Sequence, residues 1–425
     1  MTVAIRLFCL LLPLYSMASP LPDPLTLDHA MSLASDEGHG TILETNALIE
    51  LASAVRMDAE SGYGLQANME LQAAYLEPSA VATDQSSSDA IARLRVTRPL
   101  YDFGQTELKI TAADDEQQAI VHYKKFIIEK RKIDIARQFF EVLLADLKYA
   151  WDNEAMAIAY VRFDAQKKRH GLSDISDIEL LEFESNYQSV RLQRNASEIK
   201  QRSARAGLAE ALNRAEQLPS NLITPELSFA ERKLPDYEQL LAQANKNNLQ
   251  LKLHRTYVDA AQKRMLAARY QTRPTLAAGV TVSEYDREFS SSDKWRLELN
   301  LTVPLFESQA MQATIARQRS QWLKQRAMLV GSESKMRQQV LELWQKIRLL
   351  INYREQLQVS MDFTELALDR NRALYEMEVK TNLGDAMVAV SEMRYKKAKA
   401  EFDLALAWME LDLVTTNQLL QGEAQ

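Results

Sequence analysis

Four segments of the chain alternate apolar and polar residues with a period of two. In the first, Tyr63, Leu65, Ala67, Met69, Leu71, Ala73 and Tyr75 fall between Gln66, Asn68, Glu70 and Gln72. In the second, Ala92, Leu94 and Val96 alternate with Arg93, Arg95 and Thr97. In the third, Leu276, Ala278, Val280 and Val282 alternate with Ala277, Gly279, Thr281 and Ser283. The fourth sets Trp295, Leu297, Leu299, Leu301 and Val303 against Lys294, Arg296, Glu298, Asn300 and Thr302. A period of two sends successive side chains to opposite faces of a sheet. The pattern predicts strands at about 62–77, 89–100, 275–288 and 293–304, each with one greasy face and one wet face. Ser/Asp-rich stretches at 83–88 and 290–293 read as the hairpin connections.

Other stretches repeat with a period of seven. Ile128, Ile135, Val142, Tyr149, Met156 and Phe163 form one such series; Phe126, Ile133, Phe140 and Leu147 form another, and Ala136, Leu143, Ala150 and Ala157 a third. Met336, Leu343, Leu350 and Leu357, with Val340 and Ile347, repeat the pattern later. Heptads predict coiled-coil packing. Several parallel series make the apolar face wider than a two-helix seam uses, so each helix packs on more than one neighbour. Residues 105–170 hold no proline and no glycine until Gly171 follows, enough for a rod of roughly 100 Å.

The order of elements occurs twice. Leu100-Tyr101-Asp102-Phe103-Gly104 closes one strand pair and opens a long helix, and Leu305-Phe306-Glu307-Ser308 does the same about 205 residues later. His170-Gly171-Leu172 and Glu378-Val379-Lys380-Thr381-Asn382 interrupt the long helices at nearly equal offsets. The first repeat spans 19–216, with an opening helix at 28–58 and long helices at 105–170 and 172–214. A proline-bearing linker covers 217–235, and the second repeat spans 236–418, with an opening helix at 236–270 and long helices at 309–377 and 382–416. A short tail, 419–425, ends the chain. The fold class is mainly α with a β part.

Composition sharpens this picture. Gly (11) and Pro (11) are scarce in 425 residues, which excludes a chain of short strands and loops. A net charge of -7 argues against generic nucleic-acid binding, and the single cysteine, Cys9, excludes disulfides and cysteine catalysis. Arg6, the apolar run Leu7–Tyr15 and the small-x-small site Ser16-Met17-Ala18 read as a signal peptide, 1–18, of an exported protein. No later segment is apolar enough for a membrane helix, so any membrane insertion must be as a barrel. The predicted strands are about 10 to 14 residues, the length a tilted membrane strand needs, and four cannot close a barrel when about eight is the minimum. Several chains must then share one barrel. The alternative is a half-exposed sheet on a soluble core.

These features together resemble the TolC-type outer-membrane factors, the exit ducts of tripartite efflux pumps and type I secretion systems. The likeness is carried by Arg98-Pro99-Leu100-Tyr101-Asp102-Phe103-Gly104, Val303-Pro304-Leu305-Phe306, the turn from His170 to Asp177 and the turn from Tyr375 to Asp385, and it covers nearly the whole mature chain. It implies a homotrimer whose chains each give four strands to a shared twelve-stranded barrel, continued by a periplasmic α-helical barrel. Leu65, Met69, Leu71, Leu94, Val96, Val280, Val282, Trp295, Leu297, Leu299 and Leu301 would then meet outer-membrane lipid, and the wet faces would line the pore. The resemblance also implies an iris-like gate at the periplasmic tip, with Asp177, Tyr375 and Lys380 matching gate positions and Asp385 the nearest match to a carboxylate ring. A link between Asp177 and Lys380 is expected. Gly171, Leu172, Ser173, Val379, Lys380 and Thr381 would contact a periplasmic adapter protein, which joins the duct to an inner-membrane transporter. The chain departs from the pattern at Ser308-Gln309, where a glycine is usual, at Glu378 and Lys380, where Gly and Arg are usual, and at Asp385, which lies one residue late.

No catalytic constellation is visible. His29, His39, His122, His170 and His254 are scattered and read as solvated or capping residues, and no cofactor is expected. Three other readings stand beside the efflux duct: the outer-membrane component of polypeptide secretion, a non-pore coiled-coil adapter of the periplasm, and an enzyme on a helical scaffold, which lacks a nucleophile–base set.

Overall fold

The computed structural model describes residues 20–227, 229, 232–287, 293–306, 309–379 and 382–416. The predicted signal peptide, Lys380, Thr381 and the tail lie outside these residues. The elements run α1 (Leu27–Ser32), α2 (Gly40–Glu60), β1 (Gln66–Tyr75), β2 (Ser88–Tyr101), α3 (Gln105–Gly171) and α4 (Asp177–Ala211), then α5 (Tyr237–Asn247), α6 (Leu249–Tyr270), β3 (Thr275–Tyr285), β4 (Trp295–Thr302), α7 (Gln309–Glu376) and α8 (Leu383–Thr415).

All four strands form one antiparallel sheet in the order β1-β2-β3-β4. Strands almost 200 residues apart in sequence, β2 and β3, join the two hairpins edge to edge. The register keeps like with like. Met69, Leu94, Val282 and Trp295 share one cross-strand row, and Ala67, Val96, Val280 and Leu297 share another. Among the described residues nothing packs on the greasy face: Met69 is 68% exposed, Trp295 70% and Leu297 70%. Leu65, Leu71, Leu94, Val280, Val282, Leu299 and Leu301 are exposed too, and Val96 is half-buried. Both hairpin turns lie at one end of the sheet, and every junction to a helix lies at the other. Three strands are somewhat shorter than the alternation predicts, while β2 extends one residue beyond its predicted range at each end. The first begins at Gln66 because Ser61–Tyr63 form a 3-10 turn, and the fourth ends at Thr302, ahead of Pro304. Tyr63 therefore lies outside the sheet, whereas Tyr75, Tyr285 and Trp295 mark its hairpin end.

The opening helices are each broken once. In the second repeat Asn248 makes the break by serving two helices. Its Oδ1 accepts the Leu251 N–H at 3.0 Å, starting α6, and its Nδ2 donates to the Val414 carbonyl at 3.0 Å, near the end of α8. In the first repeat the break falls at Asp36–His39, where the His39 Nδ1 accepts the Thr41 N–H at 3.2 Å and caps α2. Arg131 donates to the Ala34 carbonyl at 2.8 Å and secures the end of the preceding turn.

The dry core is concentrated midway along the long helices. One cluster gathers Leu25, Leu27, Ile133, Ile135, Phe139, Phe140, Val142, Leu208 and Phe402; the other gathers Leu240, Leu251, Met336, Val340, Ile347, Trp408 and Leu411. These include the central heptad positions of α3 and α7. Toward the hairpin tips the same series become half-buried or exposed, as at Met156 and Ala157. The linker wraps this waist. Leu25 donates its N–H to the Asn221 carbonyl at 2.9 Å and accepts the Ile223 N–H at 3.0 Å, and Arg232 grips the buried Asp412 with two bonds of 2.8 and 2.7 Å while lying over the Trp408 ring.

Phe140 and Phe402 stack in parallel at 4.5 Å and join α3 to α8 in this core. Removing a buried ring leaves both lost transfer energy and a cavity. The variant Phe402→Ala is therefore expected to lose roughly 3–5 kcal/mol of stability, read as a lowered unfolding midpoint of the helical signal in detergent.

Candidate functional site: the strand–helix junction and the helical tips

The junction between sheet and rod is built on Asp102. Its Oδ1 accepts the Tyr63 hydroxyl at 2.7 Å and the Gly104 N–H at 3.2 Å, and its Oδ2 accepts the Thr106 N–H at 2.7 Å. Burial raises the pKa of this carboxyl, but the hydrogen bonds from Thr106, Tyr63 and Gly104 together outweigh burial and hold it below the usual range. The turn passes through left-handed backbone at Phe103 (φ 56) and Gly104 (φ 91). Only the second of these is a glycine, so Phe103 carries strain. Arg273 holds it in place by donating to the Phe103 carbonyl at 2.9 Å while stacking on Tyr270. The equivalent junction of the second repeat passes through Glu307 and Ser308, outside the described residues.

At the far end both long helices stop in the same way. The Asp174 N–H returns to the Arg169 carbonyl at 3.1 Å, around Ser173 in left-handed conformation (φ 60). The Val379 N–H returns to the Leu374 carbonyl at 3.0 Å, around Glu378 (φ 58). These are matching six-to-one helix terminations. The expected break at Gly171 is displaced: α3 runs through Gly171, and Leu172 and Ser173 form the turn. The next helix starts at Asp177 rather than 172, because Ser176 and Glu179 form a reciprocal capping box.

Of the expected gate residues, Asp177 is exposed at the start of α4 and lies 2.6 Å from the His170 Nε2 across the turn. Its expected partner, Lys380, is outside the described residues, as is Thr381. Tyr375, Leu172 and Val379 are exposed around the two turns. Asp385, in the first turn of α8, is paired with Arg162 of α3 at 2.6 Å. That partner has no local signal in the sequence, because it lies in another repeat.

The pair ends a continuous antiparallel seam between α3 and α8. Going from waist to tip, the seam passes Arg137–Glu410 (2.8 Å), Phe140–Phe402, Trp151–Tyr395 (5.9 Å), the hydrogen bond from Ser391 to Glu154, and Arg162–Asp385. Near its end Gly384 is pressed against Ile158: a Cβ there would stand 2.9 Å from two side-chain carbons of Ile158. On its other flank α3 holds α4 through Arg205 on Asp146 (2.8 and 2.9 Å), Arg194 on Tyr149 (2.6 Å) and the Phe163–Tyr187 stack (5.8 Å). Among the described residues no helix is long and apolar enough to cross a membrane, and no group of three or more side chains is placed to hold a metal ion.

Solved structures share this architecture. The Campylobacter jejuni CmeC outer membrane channel superposes with a TM-score of 0.74 at 13% identity, covering 93% of this chain and 87% of its own. The Vibrio cholerae outer membrane protein VceC gives 0.70 at 14%, covering 90% and 96%. CusC, solved in a study of folding and transmembrane channel formation, gives 0.74 at 15%, covering 95% of each chain. No protein-family model and no curated protein matches the chain. The fold is that of the TolC-like outer-membrane channels.

The tip geometry carries its own test. A non-glycine residue in left-handed conformation costs roughly 1 kcal/mol. The variant Glu378→Gly is expected to recover most of that, slowing amide hydrogen exchange at residues 374–379; unchanged exchange would remove strain from the account of this turn.

Proposed function

We propose that the chain is the outer-membrane channel of a tripartite efflux pump, conducting substrate passively from periplasm to exterior. The single observation that carries the reading is the sheet: four strands that, among the described residues, have a bare greasy face and two unpaired edges, attached to a rod of helices about 100 Å long. In lipid such a sheet must close on itself, since every exposed backbone group needs a partner. Three copies supply twelve strands, enough for a barrel around a water-filled lumen. The fold shared with outer-membrane channels supports the same assembly, with the helices continuing into the periplasm as a second barrel. The exposed apolar residues on the outer helices, such as Leu181, Leu192 and Val359, are then faces awaiting a neighbouring copy.

In this reading the tips are the gate. Asp177 and Tyr375 sit around the two turns, Lys380 is the third gate residue that the resemblance implies, and Asp385 is held by Arg162, so that α8 is fastened to α3 at the last point before the turn. Each exposed link contributes about 1 kcal/mol at most, and threefold symmetry multiplies it. Gly171, Leu172, Ser173, Val379, Lys380 and Thr381 form the contact for a periplasmic adapter, which couples the duct to an inner-membrane transporter.

Charge reversal tests the gate. In planar bilayers, Arg162→Glu and Lys380→Glu are each expected to raise single-channel conductance several-fold. Conductance equal to that of the unaltered protein in both variants would remove these residues from the gate.

A further inference from the structure

The wet face of the sheet gathers its positive charge into a band. Glu70, Arg93 and Ser283 share one cross-strand row, and the Ser283 N–H donates to the Lys294 carbonyl at 3.0 Å, which adds Lys294 to that row. The next row on this face holds Asn68, Arg95, Thr281 and Arg296. Two adjacent rows thus carry three guanidiniums and one ammonium against a single carboxylate. Glu70 accepts from Arg93 at 3.1 Å, and Arg296 pairs with Asp293 of the hairpin. Arg95 and Lys294 have no ion-pair partner among the described residues, and both are exposed. One row nearer the helices lies Glu298, but it lies back across Gly279, where an added Cβ would come 3.2 Å from its Oε1. It makes no ion pair with the arginines among the described residues. The nearest other acid on this face, Asp89, is two rows from Arg93 on the hairpin side, with Ile91 between.

We infer that this band is a recognition site for multivalent anions on the inner wall of the barrel. The inference rests on the channel reading, because only closure of three copies turns this wet face into the wall of a lumen. Closure would bring nine guanidiniums and three ammoniums into one belt, against three Glu70 carboxylates. Cations facing each other across confined water add their potentials and raise the local concentration of anions. Guanidinium forks match carboxylate, phosphate and sulfate oxygens in pairs, so an anion that spans two forks is held far better than a monovalent one. The belt therefore favours solutes bearing two or more such groups.

The test is calorimetry on the purified full-length protein in detergent, with benzenehexacarboxylate as the probe and sedimentation of the same sample to establish its assembly. The unaltered trimer is expected to bind the probe, more weakly as KCl is raised from about 0.05 to about 0.5 M. The double variant Arg95→Gln/Arg296→Gln is expected to bind at least about tenfold more weakly while still sedimenting as a trimer. Should that variant not assemble, Arg95→Gln/Lys294→Gln is measured in its place. Trimers that do not bind the probe, or that bind it equally with and without the arginines, overturn the belt and leave the channel standing. A chain that does not sediment as a trimer overturns the channel reading itself.

Discussion

The structure depends on how a four-stranded sheet satisfies its own edges. One side of β1 and one side of β4 have no partner strand among the described residues, and the greasy face between them is bare. In water, an edge of this kind recruits other strands, and an apolar face this size does not stay exposed. In lipid, unpaired backbone groups cost several kcal/mol each, which leaves closure as the stable outcome. The cross-strand rows meet that demand from the sequence side. Because Met69, Leu94, Val282 and Trp295 fall in one row, the apolar side is continuous across all four strands, and so is the wet side. A slip of one residue in β2 or β4 would put arginines among leucines.

The helical rod solves a different problem: it must be long without being greasy throughout. Its dry residues are concentrated at the waist, where the linker, the broken opening helices and the middles of the long helices meet. From there to the tips, the seam between α3 and α8 changes from stacked rings to a tilted aromatic pair, then to single polar links. Buried rings are worth several kcal/mol, and exposed ion pairs about 1 at most. The seam is therefore firm at the waist and weak at the tip. The proposed gate sits where this gradient makes motion least costly.

Much of this was legible in the sequence because it is periodic or local. The period-two stretches gave four strands, the heptads gave the long helices, and the Leu100–Gly104 motif marked the turn that Asp102 now secures. Ser176 with Glu179 is a capping box readable from four residues, yet the sequence pattern points to a helix start five residues earlier, because Gly171 is a stronger turn signal than Ser173. The glycine was the more obvious breaker, but the left-handed position fell to a serine. The pairing of β2 with β3 and the partner of Asp385 are long-range, and no spacing encodes them. Arg162 is one of many charged residues on a polar helix face, distinguished only by where α8 comes to rest.

The central claim concerns number: one chain supplies a third of a closed wall. Native mass spectrometry of the protein released from detergent micelles measures this directly. The account predicts a complex of three chains that is lost only when the detergent is stripped or the sample is boiled. A single chain, dispersed in buffer without detergent, would contradict it.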